Sequence, residues 1–116
     1  MNRAEAYAKT GKEAQALDDV NTIRKRAGLT GDALMTTANI KARGYDTALD
    51  CVLDERMREL CYEGHSAFDS FRNNRPLDRR FVGCHDWEVI QPNDPRIAML
   101  ISLDEINSSG IEQNRH

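Results

Sequence analysis

The stretch from Leu53 to Pro76, LDERMRELCYEGHSAFDSFRNNRP, constrains the fold more than any other part of the chain. With the residues just before it, it spaces Leu49, Val52, Leu53, Met57, Leu60 and Cys61 by threes and fours. That spacing gathers apolar side chains on one side of an α-helix. Thr47 and Asp50 have the separation of a capping box, a hydroxyl and a carboxylate that satisfy each other's backbone amides at a helix start. The pattern predicts a helix from near Asp46 to Gly64. A shorter helix is expected from about His65 to Asn74, carrying Phe68 and Phe71. Pro76 prevents its continuation because it lacks an amide donor.

The first segment reads as a helical hairpin. Ala4, Tyr7 and Ala8 give one apolar face before the Thr10-Gly11 break. A second helix is expected from about Lys12 to Ala27, with Ala16, Leu17, Val20, Ile23 and Ala27 at helical spacing. Gly28 followed by Leu29 is a helix stop, the leucine folding back on the last turn. Tyr7, Gly11, Ala16, Val20 and Ile23 resemble the aromatic, turn-glycine, small and apolar positions of a tetratricopeptide unit. A generic two-helix hairpin is the competing reading. In the repeat register the opening turn would precede Met1, so Met1 is not expected to be the natural start of the folded unit.

Residues 30–45 show little periodicity and read as a loop with a helical turn at Leu34 and Met35. From Arg79 onward, Phe81, Val82, Trp87, Val89 and Ile90 are interrupted by Gly83, Pro92 and Pro95, which predicts loops with one short strand. Ile97 to Ile101 is a brief apolar run. Leu103 to Asn107 has the form of a helical turn, with Ser102 as cap and Glu105 three residues on. The closing EQNRH is expected to fray.

At 116 residues the chain fits one small domain with a modest core. Aromatics are only 6%, so that core must rest on Leu, Ile, Val, Met and Ala. The net charge of -3 creates no field for nucleic acid, and Arg24, Arg26, Arg56 and Arg58 alternate with acids instead of forming a stripe. No run of about 18 apolar residues is present to span a membrane. The opening MNRAEAYAKTGKEA has no apolar signal core. The chain is then either cytoplasmic or truncated. Cys51, Cys61 and Cys84 cannot all pair with one another, and Cys51 and Cys61 are expected as buried free thiols.

Several charged groups invite a chemical reading. Glu55, Glu59 and Glu63 stack at a spacing of four, where paired carboxylates serve acid–base work or bind a metal. Arg58 lies within reach of Glu55 and Asp54, and Arg56 of Glu59, so an ion network explains the cluster without a ligand. Cys61, His65, Cys84 and His85 supply four zinc-ligand types but at poor spacing. A Cys-His nucleophile lacks an oxyanion site beside it. His65 is better read as a hydrogen-bonded residue at the helix junction. Trp87, between Asp86 and Glu88, has an apolar face suited to stacking on a sugar ring, but burial against the helices is the favoured expectation. No glycine-rich phosphate loop occurs.

Three blocks resemble the SusD/RagB family, in the family's order and near its C-terminus. The first, Arg3 to Leu29, is similar to its last tetratricopeptide-type hairpin. The second, Leu53 to Arg72, carries Glu55, Arg56, Glu59, Leu60, Glu63, Gly64, His65, Phe68, Asp69 and Arg72 at fixed spacing. The third, Ile101 to Asn114, carries Glu105, Ile106, Gln113 and Asn114. Ser66, Ala67, Ser70, Leu100 and Ser102 depart from the family's usual residues, as in a divergent member.

The resemblance implies an all-α fold of tetratricopeptide-like hairpins, an α-α superhelix, with an irregular C-terminal segment. It implies that residues 1–116 form a single domain, the C-terminal fragment of a larger SusD-like protein. It further implies an outer-membrane, surface-exposed lipoprotein that binds a glycan or other nutrient without catalysis, beside a TonB-dependent (SusC-like) transporter. In the family, glycan contacts come mostly from inserted regions earlier in the chain. No catalytic, cofactor, metal or glycan-binding residue is therefore assigned here. Two other readings remain. One is a free-standing tetratricopeptide-like interaction module. The other is a small metal-dependent enzyme using Glu59, Glu63 and His65. Self-association through uncovered apolar helix faces is a further expectation.

Overall fold

The computed structural model describes residues 1–83 and 86–114. Among them are five α-helices and two short strands, with 48% helix. The helices are α1 (Asn2–Lys9), α2 (Glu13–Arg26), α3 (Ala48–Glu59), α4 (Ser66–Arg72) and α5 (Leu103–Ser109). The strands are β1 (Leu77–Asp78) and β2 (Val89–Ile90). The fold is all-α, as expected. The chain divides into two compact units, Met1–His65 and Ser66–His116.

The first unit packs α1, α2 and α3 on one another. The turn after α1 is tied by Thr10, whose hydroxyl donates to the Ala6 carbonyl at 2.9 Å. α2 stops at Gly28, whose φ of +85° is a conformation that side chains with a Cβ resist. That conformation lets the Leu29 amide return to the Arg24 carbonyl at 3.0 Å, so Leu29 closes the turn as expected. α3 begins at the predicted capping box. Thr47 Oγ1 accepts from the Asp50 amide at 3.2 Å, and the Thr47 amide donates to the Asp50 carboxylate at 2.7 Å.

The core is formed by Ala4 of α1, Ala16, Leu17 and Val20 of α2, Ala48, Cys51 and Val52 of α3, and Met35 and Ile40 of the connecting segment. α3 is turned relative to the sequence expectation. Its buried stripe runs Ala48, Cys51, Val52, Glu55 and Arg56. Leu49, Leu53 and Leu60 are half-buried, and Met57 is exposed. The charged residues in the stripe find partners on other helices, and that pairing decides which face turns inward. α3 also ends at Glu59, short of Gly64. The chain leaves the helix through turns in which Tyr62 takes φ +68°. Cys61 falls in those turns and is exposed, contrary to its expected burial, whereas Cys51 is buried. Cys84 lies outside the described residues.

Residues 30–45 are more ordered than a loop of that composition suggests. Asn21 on α2 donates to the Met35 carbonyl and accepts from the Met35 amide, both at 2.7 Å. Its side chain thus serves as a one-residue strand neighbour and holds Met35 in the core. Asn39 does similar work within the segment, donating to the Leu34 carbonyl at 2.9 Å and accepting from the Thr36 amide at 2.8 Å.

In the second unit β1 and β2 pair antiparallel, Leu77 opposite Ile90 and Asp78 opposite Val89. The sequence suggested one short strand beyond Arg79 without placing it, and missed β1, because Leu77 and Asp78 follow Pro76 without any alternation to mark them. Asp94 caps a short 3-10 turn, Pro95–Ile97, by accepting from the Arg96 amide at 3.0 Å. α5 starts at the expected Ser102 cap, with Glu105 donating its amide to Ser102 Oγ at 3.2 Å. None of the described residues of this unit is buried. Trp87 is 66% exposed, which overturns its expected burial. It sits in the connection between two two-residue strands, which have no core beneath them to receive it.

Candidate functional site

The charged residues that stand out in the sequence meet along α3. Glu55 is buried and accepts from Arg24 of α2, at 2.8 Å from Nη2 and 2.9 Å from Nε. Arg24 Nη1 also donates to the Ala33 carbonyl at 2.8 Å, so one guanidinium joins α2, α3 and the connecting segment. One turn further on, Arg26 pairs with Glu59. The four-residue stacking of Glu55 and Glu59 is thus offset by two arginines from a neighbouring helix.

Within α3, Asp54 pairs with Arg58 at 2.6 Å, and Arg58 lies 3.8 Å from Glu55. Both contacts follow the helical spacing read from the sequence. The Tyr45 hydroxyl donates to Asp54. Burial, reinforced by that carboxylate, pushes the Tyr45 phenol above its ordinary pKa. Arg56 donates to Asn2 of α1 at 2.6 Å. Arg3 of α1 pairs with Asp19 of α2 at 2.6 Å, and its hydrogen bonds hold the Asp19 carboxyl below the usual range.

Part of the network lies within α3, as the sequence reading placed it, and part binds α2 to α3 through Arg24 and Arg26. Arg24 and Arg26 were missed as partners. A signal was present, because Arg24 lies four residues after Val20 and seven after Leu17, on the buried stripe of α2. An arginine on an apolar stripe requires a buried acceptor.

Glu63 lies beyond the end of α3 and comes within 3.8 Å of His65 Nε2. Of the metal-enzyme trio, Glu59 is engaged by Arg26, while Glu63 and His65 are exposed. Among the described residues no three of His, Cys, Asp and Glu converge on a point that would hold a metal ion. Cys84 and His85, the other half of the zinc reading, lie outside the described residues.

An open groove of about 510 Å³ lies where α1, α2 and the end of α3 meet. Met1, Ile23 and Leu60 give it apolar walls. Asn2, Arg3, Arg56, Glu59 and His65 supply its polar edge. His65 therefore stands on the rim of this groove, at the junction where the sequence placed it.

The sequence model of the SusD family matches residues 1–108, and the chain belongs to that family. It is a family of binding proteins, and membership implies glycan or nutrient binding in outer-membrane uptake. No curated protein and no solved structure matches the chain. No helix among the described residues is long and apolar enough to cross a membrane.

Proposed function

We propose that this chain is helical scaffold from a surface lipoprotein that captures glycans and delivers them to a TonB-dependent outer-membrane transporter. In this reading residues 1–116 act as the C-terminal domain of a larger SusD-like protein, and the sugar is held by other parts of that protein. The observation that carries the proposal is the use made of the family-type residues. Glu55 and Glu59 pair with Arg24 and Arg26, and Arg56 donates to Asn2, fixing three helices to one another. A group already committed to an internal partner, as buried Glu55 is to Arg24, is poorly placed to recognise a ligand.

The test is to tag the protein in the bacterium that makes it, fractionate the cells and purify it from detergent-solubilised outer membranes. Co-purification of a TonB-dependent β-barrel, with protease accessibility on intact cells, is the expected result. Recovery in the cytosol without a transporter would refute the proposal. That outcome would favour a free-standing tetratricopeptide-like interaction module, for which the open groove between α1 and α3 is the supporting observation.

A further inference from the structure

We draw no further inference here: the strongest candidate, the exposed apolar side chains Phe81, Val82 and Trp87 in the connection between β1 and β2, is an unpartnered apolar surface, and nothing in the structure shows what covers it.

Discussion

Arg24→Met isolates the buried pair at the centre of the first unit. In the native chain the Arg24 and Glu55 side chains are 9% and 10% exposed and lie 2.8 Å apart. Removing the guanidinium leaves Glu55 in a low-dielectric setting, with Arg58 at 3.8 Å as a distant and mostly exposed counter-charge. It also takes a donor from the Ala33 carbonyl. Breaking one side of a buried ion pair costs about 3–5 kcal/mol. With a urea slope of about 1–3 kcal/mol per molar, the midpoint should drop by about 2 M. Arg24→Met combined with Glu55→Met removes both charges and keeps apolar volume in the gap. The remaining penalty is then the Ala33 bond, about 1 kcal/mol. The double variant should therefore be more stable than Arg24→Met alone, and a double-mutant cycle should return a coupling of about 2 kcal/mol or more. Urea titrations followed by far-UV circular dichroism measure all four corners. A cost below about 1 kcal/mol for Arg24→Met, or strictly additive substitutions, would refute the view that this pair locks α2 to α3.

Three further outcomes are expected. Thr47→Ala should cost about 0.5–2 kcal/mol by removing the α3 cap, and Thr47→Ser should restore most of it in the same urea titration. Asn21→Ala should cost about 1–3 kcal/mol, since the Met35 amide and carbonyl both lose a partly buried partner. Hydrogen exchange should then quicken across residues 30–45, and unchanged exchange would remove Asn21 as their anchor. Cys61 should alkylate rapidly in the native chain while Cys51 stays protected, read by mass spectrometry of the labelled peptides. Burial pushes the Cys51 thiol from 9.0 up to about 11, so the buried neutral thiol stabilises fully below the unfolded value and that contribution is lost as pH rises through about 11.

The elements with strong local signals were legible. Thr47 and Asp50 announced the start of α3, Ser102 and Glu105 that of α5, and Gly28 with Leu29 the end of α2. These are caps, in which a few neighbouring residues settle the geometry. The rotation of α3 was not legible, because it depends on Arg24, thirty-one positions away from Glu55. Counting apolar residues alone favoured Met57 and Leu60, whereas the buried stripe passes through Glu55 and Arg56. The order in residues 30–45 was hidden for the same reason, since Asn21 acts from fourteen positions away. For the candidate site, the sequence identified the acids and the junction histidine and missed the α2 partners of Glu55 and Glu59. The exposure of Trp87 was misjudged because burial was taken from residue type, while the segment around it builds no interior.

Four of the nine core residues, Ala4, Ala16, Ala48 and Cys51, are among the smallest side chains available. Small residues let helices approach closely, yet they interlock little and so set the spacing better than the rotation. In this chain methyl groups govern distance and charges govern angle. The two are separable in evolution. Apolar positions can drift by a methylene at modest cost, whereas Arg24 and Glu55 can change only together. Among relatives of this chain, the paired change is the trace by which this helix junction should be traceable.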